Sequence, residues 1–297
     1  MAYDDFAKDV LRTYFEPYFL ILMGLSIVVI NLISMAFYLQ LPKDSSRFGM
    51  LFTLLHTQII YGLLVAGFNI RRPVPEGLRA EITPNLRYSL VFLLTTILSR
   101  LVVSISSSFL ALDRVFVMCM PMKYSVSKVS LKLSLVATLV NFFVLVGFYG
   151  VALGASEADG ALGALLMNSA FYLETFVFTT LTIVETILYV VFILRLHFYM
   201  KSVNKTLKDD ATVSVNRIVL MQMTSHTLLS TIPTTLLTLK FAFKIGPPWV
   251  AYLHPYIQML FAVGVLVTSI FALKRLKPKK AANNKLFVAR SVATDVR

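Results

Sequence analysis

The chain has 297 residues, of which 57% are hydrophobic and 14% charged, and its formal net charge is +13. So few charged side chains cannot cover the surface of a soluble domain, which excludes a soluble globular protein. Apolar runs of roughly 20 residues, the length that spans about 30 Å of hydrocarbon, recur along the chain and predict a membrane protein.

Seven such runs predict an all-α membrane protein, a seven-transmembrane-helix bundle. The predicted spans are 18–41, 49–70, 89–112, 131–153, 171–194, 218–241 and 249–273. The predicted organisation is an extracellular N-terminus over residues 1–17, a transmembrane domain over 18–273 and a basic cytoplasmic tail over 274–297. The N-terminal segment lacks the basic start of a cleaved signal peptide, so the first span is expected to act as its own anchor.

Lysine and arginine indicate which side of the membrane each end occupies, because cytoplasmic loops are enriched in both. With the N-terminus outside, the outer segments hold eight of these residues and the inner segments hold nineteen. We therefore expect the N-terminus outside and the C-terminus in the cytoplasm. The first outer loop, RRPVPEGLRA, is a basic exception to the rule. The sequon at Asn204 then falls in the third inner loop, where we expect no glycan.

An acid and a base, Asp113 and Arg114, stand side by side where the third apolar run ends. The carboxyl end of a helix favours a cation, so Arg114 suits this position while Asp113 needs another reason. The carboxylate can hold the neighbouring guanidinium, so the pair can serve as a latch that opens when a neighbouring helix moves away. A basic residue at this position is equally well explained as an orientation signal.

The residues around this pair carry a family resemblance. LALDRVFVMCMPMKYSVSK is similar to the D-R-Y-x-x-x-x-x-P-x-x-Y signature of rhodopsin-like G-protein-coupled receptors, with Val115 in place of the first tyrosine and Tyr124 as the last residue. The usual disulfide and N-P-x-x-Y motif are missing, and Cys119 is the sole cysteine. With NRIVLMQMTSHTLLSTIPTTL and short outer loops, the chain most resembles the nematode serpentine chemoreceptors, closest to class bc, a divergent branch.

The resemblance implies a multi-pass olfactory receptor in the plasma membrane, in the cilia of chemosensory neurons. Such a receptor binds a small-molecule odorant or pheromone within the bundle and activates a heterotrimeric G protein in sensory transduction. The resemblance also implies that Arg114 engages the G protein, that Asp113 restrains it at rest, and that Pro121 and Met122 contact the G protein. Pro233 lies within the sixth span, where a proline kinks a helix and suits a pivot.

Charged side chains within the spans indicate a ligand cavity, because each costs roughly 2.5 to 3.5 kcal/mol to insert and therefore faces the bundle interior. From their distances to the inner ends of their spans, we expect Arg100 and Glu185 to pair across the third and fifth helices. Such a pair either lines a cavity open to an acidic or polar ligand or only fixes helix register. The further polar candidates for this cavity are Thr96, Gln222, His226, His254 and Gln258. A hydrogen bond to a neighbouring helix is the alternative explanation for each of them, and the favoured one.

Catalysis has little support, because the chain has no H-E-x-x-H, no G-x-S-x-G and no phosphate-binding loop. We therefore expect no enzymatic activity, no metal and no cofactor. The expected partners are the lipid bilayer, a G protein and a small-molecule cue, and no nucleic acid. The competing interpretation is a small transporter or channel that uses Arg100 and Glu185, although no internal repeat is evident.

Overall fold

The computed structural model describes residues 15–40, 49–70, 86–120, 124, 127–157, 177, 180–198, 210–247 and 256–277. Every regular element within these ranges is helical, which confirms the predicted all-α class for the part described. The α-helices are α1 (Glu16–Leu39), α2 (Gly49–Ile70), α3 (Leu86–Cys119), α4 (Val129–Glu157), α5 (Thr180–Phe198), α6 (Asp210–His226), α7 (Ile232–Phe243) and α8 (Ile257–Leu276).

Six of these helices, α1 to α5 and α8, are long and apolar enough to cross a membrane. The second predicted span, 49–70, coincides with α2. The sixth, 218–241, is instead divided between α6 and α7, which have 17 and 12 residues and are joined by a π-helical turn, Thr227–Thr231. Each of the two helices alone is shorter than the roughly 20 residues that a spanning helix needs. Only α6, the turn and α7 together are long enough to cross a bilayer.

The π-helical turn has a local cause in Pro233. The backbone N–H of Ile232 donates to the carbonyl of Thr227, five residues back instead of four. Proline has no N–H, and its ring collides with the carbonyl of the preceding turn, so the helix widens just before it. The predicted irregularity of the sixth span is therefore present, but it lies in the turn that precedes the proline.

α3 is the most enclosed of the membrane-length helices. About 67% of its apolar window is buried, compared with 17% for the windows of α4 and α5. It packs against α2, α4 and α6, while α1 packs against α2 and α8. The outward faces of α4 and α5 are apolar, as a lipid-facing surface requires, and include Phe142, Phe143 and Ile187.

The two largest of four apolar clusters among the described residues lie at the helix contacts. One contains Leu54 of α2, Leu110 of α3 and Val219 of α6. The other contains Val103 of α3 and Phe261 of α8.

α1 and α2 approach each other closely at a pair of glycines. A Cβ atom placed on Gly24 would lie 2.7 Å from the backbone oxygen of Gly62, and a Cβ on Gly62 would lie 2.7 Å from the backbone oxygen of Gly24. Real side chains do not tolerate such distances to backbone atoms. The two helices can therefore pack at this separation only because neither residue has a side chain.

Candidate functional site

The acid and base of the third span form a closed cluster with a tyrosine. The Nε of Arg114 donates to Oδ2 of Asp113 at 3.0 Å, and Nη2 of Arg114 donates to the same oxygen. The hydroxyl of Tyr124 donates to Oδ1 of Asp113 at 2.5 Å and accepts from Nη2 of Arg114 at 3.3 Å. Because all three side chains are at most 5% exposed, they are largely removed from water. We refer to these three residues as the Asp113 cluster.

α3 continues past its predicted end and so changes the setting of this cluster. The span was expected to stop at residue 112, but the helix runs to Cys119. Arg114 therefore lies more than one turn inside the helix, where the field of the helix end has largely faded. The pair is held by its own hydrogen bonds. A carboxylate is tolerated at residue 113 because it accepts hydrogen bonds from the guanidinium of Arg114 and the phenol of Tyr124.

The first turn of α4 contacts Tyr124 through Ser130. Ser130 is fully buried, hydrogen-bonds to the Tyr124 hydroxyl, and accepts the backbone N–H of Met50 at 3.2 Å. That N–H belongs to the first turn of α2, where backbone N–H groups have no partner within their own helix. One serine thus ties α2 and the tyrosine together. Burial raises the pKa of Tyr124, which the guanidinium of Arg114 only partly offsets, so the hydroxyl stays a neutral donor at physiological pH.

A second buried cluster lies further into the bundle around Glu185. The hydroxyl of Tyr189, one turn along α5, donates to Oε1 of Glu185 and lies 2.8 Å from Oγ of Ser107 on α3. Oε2 of Glu185 lies 3.3 Å from Nδ1 of His226 on α6, although the two atoms are not aligned for a hydrogen bond. Nε2 of His226 is 3.3 Å from Oγ of Ser104. A carboxylate in the apolar interior is thus matched by a phenol and an imidazole from two helices.

Hydrogen bonds extend this cluster across the bundle to α1. The amide of Gln222 donates to Ser107 at 3.4 Å, and its oxygen accepts from Gln58 of α2 at 3.5 Å. Ser269 of α8 donates to the oxygen of Gln58 at 3.3 Å and accepts from the amide of Asn31 of α1 at 2.8 Å. These contacts join α1, α2, α3, α5, α6 and α8. The polar layer, as we call it, consists of Asn31, Gln58, Ser104, Ser107, Glu185, Tyr189, Gln222, His226 and Ser269.

Glu185, which the sequence predicted to pair with Arg100, faces His226 in the structure. Arg100 lies one turn before Ser104 on α3, about 6 Å from the level at which Glu185 meets its partners. Its guanidinium carbon instead lies 5.2 Å from the ring centroid of Phe261, in a cation–π contact. The ring of His226 packs against Phe261 as well, with centroids 5.7 Å apart.

A small pocket adjoins the polar layer between α6, the π-helical turn and α8. It has room for about one water molecule, far less than the roughly 300 to 1,000 Å³ of typical small-molecule sites. The wall contributed by the turn includes Leu229 and Ser230, and that from α8 includes Phe261, Gly264 and Val265.

Apart from Arg100 and Pro233, which are described above, the predicted site residues fall into four groups. Asp113, Arg114 and Tyr124 meet in one cluster, and Glu185, Gln222 and His226 meet in the polar layer. Gln258 lies in the first turn of α8, and its Nε2 has no hydrogen-bond partner. The remaining predictions lie outside the part described: Pro121, Met122, His254 and the side chain of Thr96.

Sequence reasoning missed several uncharged members of the polar layer. Asn31, Gln58 and Ser269 are fully buried within otherwise apolar spans. The signal was present, because a buried amide in a membrane helix needs a partner on another helix. Among the residues described, no three His, Cys, Asp or Glu side chains converge as metal ligands. The two clusters offer hydrogen bonds and charge pairing between helices, and either can change when the helices move.

No protein-family model matches the chain, and no curated protein matches it.

Proposed function

We propose that the chain is a chemosensory G-protein-coupled receptor that binds a small-molecule cue within the bundle and activates a heterotrimeric G protein. It has seven spans in the plasma membrane of chemosensory cilia, with the N-terminus outside and the C-terminus cytoplasmic. The receptor carries out no catalysis of its own. The resemblance to nematode serpentine chemoreceptors supports this proposal through the LALDRVFVMCMPMKY stretch.

The observation that carries the proposal is the closed Asp113 cluster. A guanidinium that is 1% exposed, near the end of a central helix, is costly to bury unless it is paired and hydrogen-bonded. Here both conditions are met by neighbours that lie on α3 and just before α4. Moving those neighbours away frees Arg114 to bind a partner. The closed cluster therefore belongs to the resting state, and opening it makes Arg114 accessible.

The test is guanine-nucleotide exchange in membranes that contain the chain and a panel of Gα subunits. Arg114→Ala removes the group that engages the G protein, so we expect exchange to fall to background at equal surface level. Lys132→Ala is the matched control, because it removes an exposed cation near the start of α4 and leaves the cluster intact. Equal exchange in wild type and Arg114→Ala contradicts the proposal.

A transporter or channel is the second candidate function, and the buried Glu185–His226 pair favours it. Glutamate and histidine within membrane helices often form proton or ion paths. The two functions make opposite demands on the same variants. A transporter loses flux in Glu185→Gln and keeps it in Arg114→Ala, so measuring ion and solute flux in both variants separates the candidates.

A further inference from the structure

The pocket beside the π-helical turn has the size of a single water and a wall that is half polar. Four of the eight residues that line it have polar side chains: Gln222, Ser225, His226 and Ser230. Cavities lined only by hydrocarbon stay dry, whereas a polar cavity of this size holds water when two or more polar groups reach it. The pocket therefore suits a water and excludes larger ligands.

Two of these four side chains have a buried polar atom without a hydrogen bond. They are Oγ of Ser230 and Nδ1 of His226, on residues that are 1% and 5% exposed. The side chains of Ser225 and Gln222 are already bonded to neighbouring helices. A buried polar atom without a partner raises the free energy of the folded state, so both atoms favour a ligand that can bond to them.

The π-helical turn accounts for the unpaired hydroxyl of Ser230. In a regular turn of this chain a serine hydroxyl donates to the carbonyl four residues back, as Ser269 does to Val265. Ser230 lies in the widened turn before Pro233, where this bond is not made. Ordered waters commonly satisfy the polar groups that a proline displaces in a membrane helix. A water beside Ser230 fits that pattern.

One water is large enough to bridge the two unpaired atoms. His226 and Ser230 are four positions apart, and side chains at this spacing lie on one helix face with Cβ atoms about 5 to 6 Å apart. Two hydrogen bonds to one water, each of about 2.8 Å, span a similar distance. The carboxylate of Glu185 lies 3.3 Å from Nδ1 of His226 without an aligned hydrogen bond, so it leaves this nitrogen open to the water.

A glycine of α8 keeps the pocket open. A Cβ on Gly264 would lie 3.6 Å from Cβ of Leu229 and 3.7 Å from the carbonyl oxygen of Ser225, both ordinary contacts. An alanine at this position therefore fits without a collision and puts a methyl group into the pocket wall. Gly264→Ala is the variant that removes the room for a water and leaves every polar group in place.

We propose that this pocket is a binding site for one ordered water, which bridges Oγ of Ser230 and Nδ1 of His226. Because His226 belongs to the polar layer, the water ties the widened turn of the sixth span to that layer. The inference goes beyond the proposed function and applies to a receptor and to a transporter alike.

Hydroxyl-radical footprinting with X-rays, on the full chain in lipid nanodiscs, locates the water. Radicals formed from a bound water oxidise the side chains that contact it. Phe261 lines the pocket and Phe192 does not, although both are at most 2% exposed. We expect oxidation of Phe261 and none of Phe192, and we expect Gly264→Ala to abolish it. A Cβ on Gly67 of α2 meets nothing within 4 Å, so Gly67→Ala is the matched control and should keep the oxidation of Phe261.

The sign of a stability change tests the hydrogen bond to Ser230 independently. With the water bound, Ser230→Ala removes a hydrogen bond, so we expect the equilibrium constant for unfolding to rise about two- to tenfold. Without the water, the same variant removes an unsatisfied hydroxyl, and that constant falls. Ser26→Ala, at a half-buried serine of α1, is the control for the gain in helix propensity.

Three results overturn the inference. The first is oxidation of Phe261 no faster than that of Phe192, which means that the pocket is dry. The second is oxidation of Phe261 that persists in Gly264→Ala, which places the water elsewhere. The third is a Ser230→Ala variant that unfolds no more readily than Ser26→Ala, which means that the hydroxyl had no partner to lose. Neither measurement includes a G protein, so failure of the proposed function appears separately, in nucleotide exchange.

Discussion

Asp113 shows how a buried charge in this protein is made tolerable. Its two carboxylate oxygens accept from Arg114 and from Tyr124, and the side chain is fully buried. A buried ion pair contributes little net stability because desolvation offsets the attraction, but removing one partner is strongly destabilising. The cluster is thus better suited to holding one conformation than to stabilising the fold.

Tyr124→Phe tests the restraint on Arg114 by removing a single hydroxyl. The loss of a hydrogen bond to a charged group weakens the closed cluster, so we expect basal nucleotide exchange to rise about two- to tenfold. Tyr256→Phe, at a more exposed tyrosine, should leave exchange unchanged. Exchange at the wild-type level in Tyr124→Phe would show that the hydroxyl does not restrain Arg114.

The partner of Glu185 can be identified with double-mutant cycles on the free energy of unfolding. We expect Glu185→Gln and His226→Ala to be coupled by roughly 0.5 to 3 kcal/mol, because the two side chains are in contact. Glu185→Gln and Arg100→Ala should be additive to within about 0.5 kcal/mol. Strong coupling in the second cycle instead of the first would restore the Arg100–Glu185 pair that depth along the spans predicted.

At the scale of single residues, sequence predicts partners well when they are near in the chain. Asp113 and Arg114 are adjacent and Tyr124 is ten positions further on, so one short signature contains the cluster. Glu185 depends on which helix faces α5, and depth alone could not separate Arg100 from His226. The rotation of each helix about its axis decides such a contact. Membrane helices are apolar on most faces, so their sequences predict this rotation poorly.

Among the elements, the α1–α2 contact has the tightest requirement on its residues. In Gly62→Ala the new methyl group meets the backbone of Gly24, so the helices must separate, and we expect a loss of about 1 to 3 kcal/mol in the free energy of unfolding. Gly67→Ala, on the same helix in open space, should be neutral or stabilising by up to about 1 kcal/mol. Thermal and denaturant unfolding in nanodiscs measure both variants, and equal effects would rule out the close approach.

The sixth span shows what element prediction captures and what it leaves out. Pro233 predicts an irregular helix because a proline cannot donate a hydrogen bond and crowds the turn before it. It does not predict whether the helix bends, breaks or widens, because neighbouring helices must satisfy the displaced groups. In the structure the helix widens into a π-helical turn, Thr227–Thr231, which packs against α8.

For the whole molecule, the orientation in the membrane is the property that most directly follows from charge. Asn204 belongs to the predicted third inner loop, so expression in cells that glycosylate membrane proteins should leave it unmodified. Enzymatic deglycosylation followed by gel mobility measures this, and a sequon introduced into the first outer loop serves as the positive control. A glycan at Asn204 would place that loop outside and reverse the proposed topology.

The polar layer is also a property of the whole molecule. It joins six helices, and it adjoins the pocket through Gln222 and His226. Such a layer fixes the relative depth of the helices, because a shift along any axis leaves buried amides without partners. A movement of α6 therefore alters contacts to α2, α3 and α5 together.

The sequence by itself determined the all-α class, the approximate positions of the apolar helices and the residues of the Asp113 cluster. Run length, helix breakers and short-range spacing are properties of the chain that need no neighbours. Only the tertiary structure decided that His226 meets Glu185, that Asn31, Gln58 and Ser269 complete a buried layer, and that Ser230 is left facing a pocket. Those features depend on the rotation and depth of helices that are far apart in the chain, and many combinations of rotation and depth are compatible with the same apolar spans.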